Sequence, residues 1–426
     1  MAPTPYPSPA IAGEGGLSTM LRRMLRANST DSGSISPLPL AGEGPGVGAI
    51  MLSRIAESLY WIGRYVERAE DTARITDVNY HHTLEMGASP EAQERRRQHW
   101  EALVIIVGEA PRFFTMHDQA NEETVPFYLT FATENPHSIV SCVAHARENA
   151  RTMRHQIASE MWEVLNRFHL ELRRLQEFGE TPVSAENVHL FYRSIKEFSH
   201  LFQGITDSTM PREEGWYFLQ AGKFLERAEK TARALDVKYH LLVSDAEGLR
   251  TTDLGLRTDS PPRSPQSVVL SPSDVPGDWD QWLAVLRSLS AYEAYHKIYR
   301  STVRPRSVIE MLTLSPIFPR SIRFAIGEVD AALARIAGGL RVEDSGLSSD
   351  MSPLSPQSFL LSPSQEAERA VGRLHSALAY QRVEEVFAVD LHEYLLDIQR
   401  QCFRIGEHIQ AQYFAPRILR AEEVIA

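Results

Sequence analysis

The sequence predicts an all-α fold, an antiparallel helical bundle or a pair of packed bundles, in which one motif helix occurs twice. Three observations carry this. Gly63–His81 (GRYVERAEDTARITDVNYH) returns as Gly222–His240 (GKFLERAEKTARALDVKYH) without a gap, and 12 of the 19 positions are identical, so the chain holds an internal duplication. Most of the remaining segments place apolar residues three and four apart, the helical period. Alternating β-branched runs, the mark of half-buried strands, are nearly absent.

Residues 1–50 are rich in Pro, Gly and Ser, with SPLPLAGEGPG at 36–46. They lack periodic apolar positions and are expected to form a disordered leader, with Met51 a candidate true start. A helix is predicted from Ser53, as N-cap, to about Thr83. A second covers 91–108 and ends at Gly108. Residues 111–135 read as a loop with short turns. Asn135-Pro136-His137-Ser138 opens one long pattern, on which Arg147, Arg151 and Arg154 share a face. Ser184 caps a further helix to about Gln203. Pro211, with Glu213 and Glu214 in the first turn, starts the second copy of the motif helix, which reaches about Val243.

The next pattern begins near Trp279, and Pro305 opens a short helix to Leu314. Pro319 precedes another, ending at Gly338-Gly339, and 366–414 reads as two more. Two Ser/Pro-rich stretches, at about 246–276 and 343–365, resemble each other: SPQSVVLSPS at 264–273 against SPQSFLLSPS at 355–364. They are expected as surface loops inserted into one helical domain spanning 51–426. About 320 residues remain for the core, enough to bury a sizeable interior.

Composition excludes several function classes. Forty-four Lys and Arg against 55 Asp and Glu give a net charge of −11, which disfavours nucleic acid and anionic membrane surfaces. No apolar run is long enough to span a bilayer. Arg22, Arg23 and Arg26 precede no apolar segment, so a secretory signal is not expected. Cys142 and Cys402 lack metal-site spacing and read as reduced thiols, which points to the cytoplasm. No Gly-x-Ser-x-Gly, phosphate loop or dinucleotide-binding glycine pattern occurs.

The chemistry-bearing feature is a polar stripe on the duplicated helix. Gly63, Glu67, Glu70, Arg74, Asp77 and His81 fall within a sector roughly 80° wide. In the copy, Gly222, Glu226, Glu229, Arg233, Asp236 and His240 do the same. Ile62, Tyr65, Val66, Ala69, Ala73 and Tyr80 lie beside the stripe, so the charges border the core. One reading makes Glu67, Glu70, Glu226 and Glu229 the walls of a shared pocket able to do acid–base work. The other makes the stripes a buried ion-pair ladder that fixes helix register, favoured because every acid has an Arg nearby. His81 and His240 read as imidazoles held by Asp77 and Asp236. Arg147, Arg151 and Arg154, with Asn149 and Glu148 beside them, form either a clamp for a phosphate or carboxylate or the counter-charge to the acids. Ser290 and Glu293 are weaker candidates. A dinuclear metal site is not expected, because Glu-x-x-Glu with Arg in the same stripe fits no usual ligand set. No cofactor is expected.

Four blocks carry a family resemblance: LSRIAESLYWIGRYVERAEDTARI at 52–75, NPHSIVSCVAHARENARTMRHQIASEMWEVLN at 135–166, FLERAEKTARALDVKYH at 224–240, and LRSLSAYEAYHKIYR with SPIFPRSI. Together they resemble the bacterial alpha-E domain family, a helical domain of unknown function with a Glu-Arg motif, here Glu67-Arg68 and Glu226-Arg227. The resemblance implies partnership with ATP-grasp-type ligases and transglutaminase-like proteins in making or modifying a peptide or amide. It assigns no activity to the domain itself. Three readings stay open: a helical component binding a peptide or partner in a charged cleft, an enzyme using the duplicated carboxylates, and a structural scaffold for oligomers.

Overall fold

The computed structural model describes residues 45–87, 89–177, 187–253, 279–345 and 365–414, and among these it is built from helices without a strand. In chain order they are α1 (Pro45–Glu85), α2 (Pro90–Val107), α3 (Ala110–Met116), α4 (Thr124–Thr130), α5 (Ile139–Thr152), α6 (Ser159–Glu177), α7 (Val188–Thr209), α8 (Glu214–Asp253), α9 (Trp279–Ser288), α10 (Tyr292–Tyr299), α11 (Pro305–Leu314), α12 (Ile322–Ser345), α13 (Glu366–Tyr380), α14 (Val383–Ala388) and α15 (Leu391–Ile409). A π-helical turn, Gln410–Phe414, follows.

Local chemistry explains several ends. Ser89 caps α2 by accepting from the Ala92 amide, Pro90 stands in its first turn, and Gly108 closes it in the left-handed region at φ 85. Ser138 caps α5 by accepting from the Ser141 amide.

Several boundaries depart from the sequence reading. Helix α1 begins at Pro45, inside the expected leader, and Ser53 donates to the Phe414 carbonyl instead of capping. Residues 1–44 lie outside the described residues. The long pattern after Ser138 breaks into α5 and α6, because Met153 and Ile157 between them are drawn into the core. Arg154 therefore falls past the end of α5. Helix α8 starts at Glu214, beyond Pro211, and runs to Asp253, into the first expected insert. Helix α12 runs through Gly338-Gly339 to Ser345, since glycine costs a helix interior only about 1 kcal/mol. Residues 254–278 and 346–364, which hold most of both inserts, lie outside the described residues.

The centre of the molecule is the contact of α1 with α8, the two motif helices. Tyr60 meets Gly222, Gly63 meets Leu219 and Lys223, and further along Arg68 meets Glu226 and Arg227 meets Glu67. Contacts advance in the same sense on both, so the copies run parallel to each other about a pseudo-two-fold axis. Gly63 and Gly222 make this possible. A Cβ on either would fall inside contact distance of the Leu219 or Tyr60 carbonyl oxygen on the facing helix.

The duplication extends well beyond the motif. Helix α5 packs on α1 as α12 packs on α8. Helix α6 joins α5 to α7 as α13 joins α12 to α15, and α7 lies on α1 as α15 lies on α8. The second helix of each half crosses over: α2 packs on α8 and α9 on α1. Trp100 of α2 and Trp282 of α9 are both fully buried, and Gly108 and Ser290 after them both take positive φ. Each half thus contributes a helix to the other's motif helix, which ties the two into one core.

Candidate functional site

At the pseudo-two-fold the Glu-Arg pairs cross. Arg68 donates from Nε and Nη2 to the two oxygens of Glu226, at 2.6 and 2.8 Å. Arg227 donates in the same way to Glu67, at 2.5 and 2.8 Å. Each is a bidentate fork on a carboxylate with no solvent exposure. The motif arginines stand one residue after the stripe, about 100° around the helix, and this offset aims them at the opposite copy.

Around this pair each half adds its own charges. Arg64 bridges Glu226 at 2.7 Å and Glu229 at 2.8 Å. Lys230 approaches Glu226 at 3.8 Å and donates to the Val107 carbonyl. Arg233 pairs with Glu229 at 3.0 Å. On the other side Glu70 accepts from Arg74, from Arg320 at 2.5 Å and from Ser199 at 2.8 Å, with His200 at 3.4 Å. Arg320 also reaches Asp71 at 2.6 Å and Glu67 at 3.4 Å. Arg74 donates in addition to Ser290, while the pseudo-equivalent Arg233 lies over Gly108, whose missing side chain leaves room for it.

Electrostatics separates these carboxyls. Burial pushes Glu70 and Glu226 upward, but the facing arginines outweigh it and hold both well below the usual carboxylate range. Glu229 is lowered as well, against burial and the neighbouring Glu226, by Arg64, Lys230 and Arg233. Asp71 goes the other way. Burial raises it to about 7, with Glu67 and Glu70 adding to the effect against Arg320. Its Oδ2 is buried without a hydrogen-bond partner. In the copy, Lys230 occupies the equivalent place, and burial lowers its ammonium below the usual lysine value. Lys223, the counterpart of Arg64, is buried over the Phe224 ring and falls to about 8.

The structure sorts these candidates into two pseudo-symmetric clusters: Glu67, Glu70 and Arg74 meet Arg227 and Arg320, and Glu226, Glu229 and Arg233 meet Arg64, Arg68 and Lys230. It does not leave a cleft between the copies. Glycine-mediated contact brings the helices too close, and Glu67, Glu70 and Glu226 are 0% exposed. A general acid or base must reach a substrate, and these enclosed carboxylates do not; Glu70 and Glu226 are in addition held in the charged form by their arginines.

The second row of candidates lies elsewhere. Arg147 donates to Asn166 at 2.9 Å and, with Arg154, stacks over the Trp162 ring of α6. Arg151 pairs with exposed Glu148, and the Asn149 carbonyl only accepts from Thr152. This row faces α6 and solvent, so it neither clamps an anion in the network nor neutralises the acids. Their counter-charges are Arg64, Arg68, Arg227 and Arg320, with Arg74, Lys230 and Arg233 from the acids' own helices. Glu293 is exposed. Burial pushes the Cys142 thiol up to about 12, so it is no nucleophile despite His145 nearby.

Asp77 and Asp236, at the far ends of the stripes, pair across space. His189 Nδ1 lies 3.0 and 3.1 Å from the Asp77 oxygens, Lys196 donates to Asp77 at 2.7 Å, and His81 stands at 3.5 Å. His392 Nδ1 lies 2.6 Å from Asp236, with Gln399 at 3.3 Å. The His240 side chain lies outside the described residues. The helices carrying these partners, α7 and α15, match at His189 and His392 and at Ile195 and Ile398 but differ at most other positions. Their equivalence is therefore hidden from a sequence comparison. Arg320 lies in the SPIFPRSI block that carries the family resemblance, but nothing local points it at Glu70 and Asp71. Arg68 and Arg227 did give a local signal, as the identical neighbours of identical glutamates.

Fold and centre define a class: an all-helical domain, doubled internally, whose halves are locked by reciprocal Glu-Arg forks. The chain belongs to the Alpha-E family, described as a predicted alpha-helical domain with a conserved ER motif, whose profile matches residues 51–414. Uncharacterized proteins of Mycobacterium bovis and of two Mycobacterium tuberculosis strains are 26% identical over 198 residues. The match covers 44% of this chain and 22% of theirs, so the chain aligns with under a quarter of their length. No solved structure matches. Among the described residues no helix is long and apolar enough to cross a membrane.

Proposed function

We propose that this Alpha-E domain is a non-catalytic helical component of a cytoplasmic peptide- or amide-forming system, working with an ATP-grasp-type ligase and a transglutaminase-like protein. The observation that carries this is the complete enclosure of Glu67, Glu70 and Glu226, each held by arginine forks or pairs. A charge network without access to solvent fixes the register of two helices and cannot turn over a substrate. The much greater length of the mycobacterial relatives is in keeping with a domain that acts beside others.

Peptide or partner binding then belongs to the rim of the network. His200 is 62% exposed above Glu70, and Arg233 is 30% exposed beside Glu229. Both offer hydrogen-bond donors to a passing carboxylate or amide. The test is reconstitution with the ATP-grasp-type ligase of the same genome. The two proteins are expected to co-elute, and His200→Ala with Arg233→Ala to weaken the complex without changing the far-UV spectrum. A ligase that neither co-elutes nor changes its ATP-dependent turnover when the domain is added would refute the reading.

A further inference from the structure

We propose that Asp77, His81 and His189 form a binding site for a divalent transition-metal ion of the zinc class. The site goes beyond the peptide-system reading and stands apart from the Glu-Arg network. Its residues come from two elements. Asp77 and His81 are i and i+4 on α1, which puts them on one face, and His189 sits on the first turn of α7. One ligand atom from each lies within 4.8 Å of the other two.

Separations fit the ion. Zinc holds imidazole and carboxylate donors at about 2.0–2.1 Å, which sets neighbouring donors about 3.3 Å apart in a tetrahedron. His189 Nδ1 and His81 Nε2 stand 3.0 and 3.5 Å from Asp77 Oδ1. The two rings are close, with centroids 5.3 Å apart. Two imidazoles and one carboxylate leave a coordination position for water.

Burial supports the same assignment. Asp77 is 2% exposed and fixed by its helix, whereas the His81 and His189 side chains are about half exposed. His189 and Lys196 already supply the hydrogen bonds that the buried Asp77 carboxylate needs, so the further approach of half-exposed His81, at 3.5 Å, adds little to stability as an ion pair. The other half repeats the pairing of a buried Asp with a histidine from the neighbouring helix, Asp236 with His392. It does so although α7 and α15 have otherwise diverged.

Lys196 is the opposing charge. Its ammonium donates to Asp77 Oδ2 at 2.7 Å and must swing outward when a dication binds Oδ1. In the other half neutral Gln399 holds the corresponding place. Lys196 therefore weakens the site without removing a ligand.

The experiment uses the full chain, stripped with a chelator and titrated with Zn2+ against a chromophoric competitor. Co2+ serves as the optical probe and Mg2+ as the control. The parent is expected to bind Zn2+ and to give Co2+ visible absorption of a low-symmetry site, with no Mg2+ effect. His81→Ala and His189→Ala should each weaken binding about tenfold or more, and Lys196→Gln should strengthen it. All three side chains are partly exposed, so folding is checked simply by far-UV circular dichroism. The proposal is overturned if the His81→Ala/His189→Ala double variant binds Zn2+ as the parent does. It is equally overturned if the parent takes up no Zn2+ in competition, or if Lys196→Gln leaves the affinity unchanged.

Discussion

Glu226→Gln is the sharpest test of the central network. Glu226 accepts two hydrogen bonds from Arg68 and one from Arg64, and Lys230 stands at 3.8 Å. The substitution keeps the shape but strips the charge from a side chain with no solvent exposure. Arg64, Arg68 and Lys230, each 5–8% exposed, then stay buried with too little compensation. Removing one partner of a buried pair costs about 3–5 kcal/mol, out of a total stability of about 5–15 kcal/mol for a native domain. The assay is urea unfolding at pH 7.5, followed by circular dichroism. Arg68→Gln and the double variant complete a cycle, with an expected coupling of roughly 0.5–3 kcal/mol. Acid sharpens the result. Glu226 and Glu70 are held well below 4.5 in the folded chain, so their stabilisation is present above pH 4.5 and is lost as pH falls below it. Glu226→Gln should flatten that acid limb. A loss under about 1 kcal/mol, or no coupling to Arg68, would mean that the crossed forks do not hold the halves together.

Further outcomes follow from single positions. In an exposed helix Gly→Ala gains about 1 kcal/mol, but Gly63→Ala and Gly222→Ala should each lower the melting temperature, because the new methyl meets a backbone carbonyl that cannot move aside. Asp71→Asn should raise stability at pH 8 by up to about 4 kcal/mol, since the carboxyl stands about three units above its ordinary value and each pKa unit corresponds to about 1.4 kcal/mol. Here the folded value, about 7, lies above the ordinary 3.8, so the parent loses stability as pH rises from about 4 to 7, and the variant should not; chemical unfolding across that range reads the difference. Glu70→Gln should cost stability without abolishing ligase stimulation in any variant that still folds, measured as ATP-dependent turnover; a folded variant that loses stimulation would restore the catalytic reading.

The sequence by itself determined the helical class, the doubled motif and the set of charges that meet at the centre. It could do so because helical periodicity is local. An 80° stripe beside an apolar face is already a statement about which side chains border the core. The end of α2 at Gly108 and the start of α5 after Ser138 were legible for the same reason, whereas the cap expected at Ser53 was not borne out.

What tertiary structure alone decided is how the charges are used. Whether the stripes open as a pocket or close as a ladder depends on the distance between α1 and α8, and that distance is set by two glycines meeting facing carbonyls. The distant partners of Asp77, Asp236 and Glu70 come from α7, α15 and the turn just before α12, more than 100 positions away along the chain. No local pattern encodes such pairings, because each side chain needs only a suitable donor in space, wherever in the sequence it arises. Arg147, Arg151 and Arg154 show the converse: a convincing local row whose face the fold turned away from the acids, toward Trp162 and solvent.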